Sequence, residues 1–122
     1  MKKFIIVAFV LCAVLLSVFP SFAGPTYYSR SSGLQTADAA ITTAGGYMTG
    51  VAIVTDGTND ATVVVYDNEA SAAGTVLFKG KVSGASNLGG ATFEIPIQYD
   101  DGIYVDVTGT GAAYIVYYQI GY

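Results

Sequence analysis

Two runs rich in Val, Ile, Thr and Tyr set the pattern of the chain: residues 47–55 and Ala61–Asp67. Between them stand Asp56-Gly57-Thr58-Asn59-Asp60, all turn-forming residues. Two strands around a short polar turn predict a β-hairpin over residues 46–68. Downstream the alternation continues. In Thr75–Val82, Val76, Phe78 and Val82 take one side and Lys79 and Lys81 the other. In 91–97, Phe93, Ile95 and Ile97 fall inward and Thr92, Glu94 and Pro96 outward. Pro96 cannot donate to a ladder, which puts that strand at a sheet edge. In Ile103–Thr108, Ile103, Val105 and Val107 face in, and Tyr104, Asp106 and Thr108 face out. Residues 112–122 form the last and most apolar run. Glycine-rich or polar turns separate these runs, and no helical period occurs after the first 23 residues. The expectation is an all-β chain: a single β-sandwich of Greek-key or jelly-roll type with about seven strands.

The first 23 residues have a different pattern. Met1-Lys2-Lys3 is basic, Phe4 to Val18 is almost wholly apolar, and Pro20 precedes Ser21-Phe22-Ala23, with small residues spaced for cleavage. This predicts a secretory signal peptide over 1–23, removed on export. The apolar core is short for a retained span of roughly 20 residues. Cys12 follows Leu11 inside this run, where a lipidation signal would require a small residue. Residues 24–45 form a polar arm with isolated apolar residues at Tyr27, Tyr28, Leu34 and Ile41. Short strands are expected at 26–30 and 39–43. Either the arm is a loose terminus, or it is a donor strand that extends a neighbouring subunit's sheet. The sandwich domain then occupies 46–122.

Sandwich strands normally show water a polar face. The middle strands do so, but three others are apolar on both sides. Val63 and Val65 oppose Val64 and Tyr66, while Tyr114, Val116, Tyr118 and Ile120 oppose Ile115 and Tyr117. Val and Tyr are good strand formers in any setting. A covered outer surface also suits tyrosine, whose ring contributes apolar area while its hydroxyl finds a partner. On that basis the candidate subunit-interface residues are Tyr27, Tyr28, Leu34, Ile41, Tyr66, Tyr114, Tyr117, Tyr118 and Tyr122.

Composition removes most chemistry. The chain has no His, and its one Cys is Cys12. A Ser-His-Asp triad, a Cys-His pair and a His/Cys zinc site are therefore excluded from the exported chain. No phosphate-cradling glycine motif is present, and no cofactor is implied. The carboxylates sit mostly in turns, where Asp is the usual residue. Asp56, Thr58 and Asp60 occupy the first, third and fifth places of a calcium loop, with Asp67 at the twelfth. The sixth is Ala61 where such a loop requires glycine, and a plain turn accounts for these residues as well. No enzyme is expected. The formal charge of −4 becomes −6 once Lys2 and Lys3 leave with the leader, which argues against nucleic acid or anionic membrane as partner. A small secreted domain without disulfides depends on sheet packing, bound ions or assembly for its stability.

Several short runs also resemble a group of small β-sandwich proteins of phage virions and related bacterial secreted structural proteins. They are Tyr66-Asp67-Asn68, Gly74-Thr75-Val76-Leu77, Ile95-Pro96-Ile97, Gly102-Ile103-Tyr104-Val105 and Val116-Tyr117-Tyr118. The resemblance covers about residues 46–118 and implies a structural, non-enzymatic role. The leader departs from a virion protein assembled in the cytoplasm and fits a bacterial secreted relative. The expected function is a secreted structural subunit, extracellular, at the cell surface or in the periplasm. It would self-assemble with copies of itself by β-strand addition into a filament, sheath or surface layer. The alternative is a secreted carbohydrate-binding module that stacks surface glycan on tyrosines.

Overall fold

Eight strands run in chain order: β1 (Ser29–Ser31), β2 (Ala39–Thr42), β3 (Gly46–Val54), β4 (Ala61–Asp67), β5 (Thr75–Val82), β6 (Leu88–Tyr99), β7 (Ile103–Thr108) and β8 (Ala113–Ile120). The computed structural model describes residues 28–121. The signal peptide expected over 1–23, with Cys12, and the interface candidates Tyr27 and Tyr122 lie outside them. No helix occurs among the described residues. The count is eight where about seven strands are expected, because both short runs of the arm form strands.

The strands make two antiparallel four-stranded sheets, a sandwich-like arrangement. Sheet I has the order β1-β8-β3-β6 and sheet II the order β2-β7-β4-β5. The chain is in effect doubled back on itself: first strand pairs with last, second with seventh, third with sixth, fourth with fifth. Only the β4–β5 connection stays within one sheet.

This corrects the hairpin expected over 46–68. β3 belongs to sheet I and pairs with β6 and β8; β4 belongs to sheet II and pairs with β5 and β7. The polar turn between them is an arch from one sheet to the other. It is held by the neighbouring β5–β6 arch. The Thr55 amide donates to the Asn87 carbonyl at 3.1 Å and the Thr55 hydroxyl to the Ser86 carbonyl at 3.2 Å. These bonds satisfy Thr55, which is buried, and a buried polar group left unpaired would be costly. The Gly84 amide in turn donates to Asp60 Oδ1 at 3.0 Å.

The inward rows of the two sheets form one core. Met48, Val51 and Ile53 of β3 and Tyr114, Val116 and Tyr118 of β8 meet Val63 and Val65 of β4 and Ile103 and Val105 of β7. Each such side chain contributes roughly 1.5–3 kcal/mol by leaving water. Phe78 and Phe93 close the β5–β6 side edge to face, with ring centroids 5.9 Å apart and planes at 67°.

Two bulges overturn the expected facing of single residues. Val65 registers with Phe78 but Tyr66 with Val76, so Leu77 is the extra residue. Val76 therefore lies beside outward Tyr66, half exposed, where an inward position is expected. Between the Met48–Ile97 and Gly50–Thr92 pairs, the four residues 93–96 of β6 oppose the single Thr49 of β3. Ile95, expected inward, is 85% exposed there. Pro96 does lie on an edge strand, as its missing donor requires.

Candidate functional site

The surfaces that can carry function are the arm and the outer faces of the two sheets. From Tyr28 on, the arm is ordered onto its own domain. β1 pairs with β8 and β2 with β7, so one arm supplies the last strand of both sheets on the same side. Between the two strands it stays bonded to the body. Gln35 exchanges both backbone bonds with Tyr114 at 2.9 Å, and the Ser32 amide donates to the Val116 carbonyl at 2.9 Å. The Val107 amide donates to Asp38 Oδ1 at 2.8 Å. Few apolar side chains accompany these bonds. All three residues of β1 are exposed, and so are Tyr28 and Leu34, while Ile41 packs partly against the core. The arm is held mainly by backbone ladders.

Of the tyrosines expected at an interface, Tyr114 and Tyr118 are corrected: both rings are buried in this domain's own core. Burial, with smaller contributions from the Asp38 and Tyr104 charges, pushes the Tyr114 hydroxyl up to about 12. Tyr99, which no surface argument singles out, is the matching case in β6. Its hydroxyl donates to the Gln119 carbonyl at 3.0 Å and is likewise pushed up to about 12, first by burial and then by Tyr118. Tyr66 stays on the outer face of sheet II, half-buried between its cross-strand partners Val76 and Tyr104. Tyr117 stays on the outer face of sheet I, 39% exposed.

The outer faces differ in charge. That of sheet II carries Lys79, Lys81 and Asp106 around Val64 and Thr62. That of sheet I has registered rows Leu88–Val54, Gly90–Ala52–Ile115, Thr92–Gly50–Tyr117 and Gln98–Tyr47–Gln119, with no charged residue in any of them. Ser29 and Ser31 of β1 extend it at one edge, where Arg30 registers with inward Tyr118, and Glu94 in the β6 bulge marks the other. A shallow hollow of about 400 Å³ opens in this face beside Ala52, Gly90, Thr92 and Tyr117, with Leu88 66% exposed at its border. The hollow is fixed by backbone: Gly90 has φ +137°, and a Cβ there would run into the Val51 carbonyl.

The calcium-loop candidates Asp56, Thr58 and Asp60 bond within the arch and to Lys81 and Gly84. Asp56 Oδ1 accepts from the Thr58 amide at 2.9 Å and the Asn59 amide at 2.7 Å, and Oδ2 from the Asn59 side chain at 2.8 Å. The Asn59 amide, then its side chain, holds the Asp56 carboxyl below its ordinary range. Asp60 pairs with Lys81 at 2.8 Å, and this partner, then the Gly84 amide, lowers it too. Thr58 contributes its amide to the turn. Asp67, the twelfth position, accepts instead from the Asp101 amide at 2.8 Å and the Asp100 amide at 3.1 Å, fastening the β6–β7 turn to β4. No cluster of three or more metal-ligating side chains occurs among the described residues. No helix among them is long and apolar enough to cross a membrane. No protein-family model, curated protein or solved structure matches this chain.

Proposed function

We propose that this chain is a secreted structural subunit that assembles with copies of itself by β-strand addition, building a filament, sheath or surface layer. The observation that carries the reading is the double role of the arm: one N-terminal segment finishes both sheets on the same side. With the arm lifted away, β8 and β7 offer bare ladders side by side, ready to accept β1 and β2 of another copy. Since the arm is used at home in the single chain, addition takes the form of exchange, with identical bonds made to a neighbour. Passed head to tail, that exchange does not close on itself and gives an open polymer.

The same reading takes the fold as a jelly roll. The orders β1-β8-β3-β6 and β2-β7-β4-β5, with a chain doubled back and rolled, support it. The resemblance to small β-sandwich structural proteins points to the same class of role, and the basic-apolar leader supports export.

Ser29 and Gln119 stand directly opposite each other on β1 and β8. Directly paired antiparallel positions lie within disulfide range, about 4.5–5.5 Å between Cα atoms. Ser29→Cys with Gln119→Cys, in a Cys12→Ser background, therefore reports which body each arm occupies. Exchange gives a ladder of covalent multimers on a non-reducing gel and fibres in negative stain. Monomer alone on the gel, with single particles in the microscope, overturns the proposal.

A further inference from the structure

We infer that the outer face of sheet I seats a second copy of this chain in a two-fold contact, with Leu88 of each copy entering the Gly90 hollow of the other. This contact is separate from arm exchange and does not depend on it. Four observations carry it. The registered rows of the face hold no charge, although the chain as a whole has nine acidic residues against five basic. A partner of opposite charge would find nothing to pair with there. A second copy brings the same uncharged surface and keeps its carboxylates out of the contact, which is the charge match a self-pairing acidic protein needs.

The relief is self-complementary. Leu88 projects, 66% exposed, at one border of the face. The hollow beside it is floored by Ala52 and Gly90 and walled by Tyr117. In a two-fold contact residue i meets j while j meets i, so one knob and one hole on the same face suffice. The hole is permanent, since Gly90 holds a φ closed to other residues and no side chain can fill the position from within.

Small residues at the centre, Gly50, Ala52 and Gly90, let a second sheet approach to the usual packing distance of about 10 Å. Strands about 4.8 Å apart, of three residues in β1, eight in β8, nine in β3 and twelve in β6, together span roughly 500 Å². Two such faces cover on the order of 1,000 Å², at the lower bound for a specific contact, so the dimer is expected to be reversible. Tyr117 supplies the aromatic anchor common at such centres, half open and with no work to do in the core.

Sedimentation velocity of the exported protein over a concentration series tests the assignment. The wild type should pass from monomer to dimer as concentration rises. Leu88→Asp removes an exposed knob, and Ala52→Glu puts a charge into the hole. Each should raise the midpoint about tenfold or more while leaving the melting temperature of the monomer near wild type. Thr62→Glu, on the outer face of sheet II, should leave the midpoint unchanged. A wild type that stays monomeric overturns the inference, as does a dimer whose midpoint neither Leu88→Asp nor Ala52→Glu moves. A monomeric wild type that binds polysaccharide through Leu88 also overturns it, with sugar as the occupant. Fibres that persist in Leu88→Asp leave arm exchange standing without the face. Dimers lost in Leu88→Asp, with no disulfide ladder from the Ser29 and Gln119 cysteines, leave the face standing without exchange.

Discussion

The Tyr114 hydroxyl, inside the core, donates to the Ala37 carbonyl of the arm at 3.1 Å. It is a side-chain link between the last strand and the segment that crosses from sheet I to sheet II, and it stands between the two backbone ladders of the arm. Tyr114→Phe keeps the ring and deletes this bond. The expected loss is about 1 kcal/mol of stability, with Ala37 left to find water. Amide hydrogen exchange should show the loss concentrated in residues 29–42, with β4 and β5 little changed. Uniformly faster exchange through the domain would show that the bond serves the whole core instead.

Tyr99 and Tyr114 predict an alkaline limit. Both are raised from 10.0 to about 12 by burial. An acid whose pKa is higher when folded keeps its proton in the native state after the unfolded chain has lost it. Stability is therefore full below about pH 10, declines as pH rises towards about 12, and levels off beyond. Two units correspond to a loss on the order of 2–3 kcal/mol for each tyrosine. Urea unfolding at stepped pH reads this directly. In Tyr114→Phe the decline should be shallower, because one of the two protons is gone.

Gly46, where β3 begins, is held between strands. A Cβ there would collide with the Gln119 carbonyl and come within 2.8 Å of the Tyr99 hydroxyl. Gly46→Ala therefore forces β8 and Tyr99 apart, at the bond that ties β6 to β8. A destabilisation of about 3 kcal/mol is expected from overpacking a fixed backbone. Urea midpoints of the variant and wild type check it; a shift within error would mean that the strands yield freely.

The acidic arch responds to pH in the opposite sense. Asp56 and Asp60 are lowered by hydrogen bonds from Asn59 and from Lys81 respectively. Their contribution is present above the ordinary carboxylate range and is lost as pH falls through the lowered values. Asp60→Asn, which keeps the shape and removes the charge, should flatten the acid side of the stability profile. Adding a chelator at neutral pH should leave the melting temperature unchanged, since loop amides and Lys81 take up these carboxylate oxygens. A drop on chelation would mean that an ion shares them.

Strand positions were legible from alternation because a half-buried strand must alternate, whatever it pairs with. Pairing was not legible in the same way. The turn 56–60 suits a hairpin or an arch equally, and the choice rests on Thr55, whose amide and hydroxyl are satisfied by Asn87 and Ser86 far along the chain. Nothing local to the turn encodes those partners. Bulges hid Ile95 and Val76 for a related reason: one extra residue in β5 and three in β6 break the alternation, and the insertions show only in the register of the opposite strand. Two apolar faces on one strand do mark an uncharged outer surface around Ala52 and Ile115. Tyr114 and Tyr118 went inward, because a buried phenol needs only one acceptor or an open edge, and the arm and strand ends provide it. Tyr99 had a hidden signal in its place at the end of an alternating run, just before the Asp100-Asp101-Gly102 turn.

Pairing the first strand with the last also sets a schedule. A chain made N-terminus first presents Ser29 long before Gln119, its partner across the ladder, follows. The only pairing of consecutive strands among the described residues, β4 with β5, can form in the meantime, while each pair outward from it closes a longer loop and forms later. Through that interval the arm has emerged but the edge it belongs beside has not. Under the exchange proposed above, crowding of nascent chains would decide whose β8 it finds, and the rate of synthesis would control whether each copy completes itself or its neighbour.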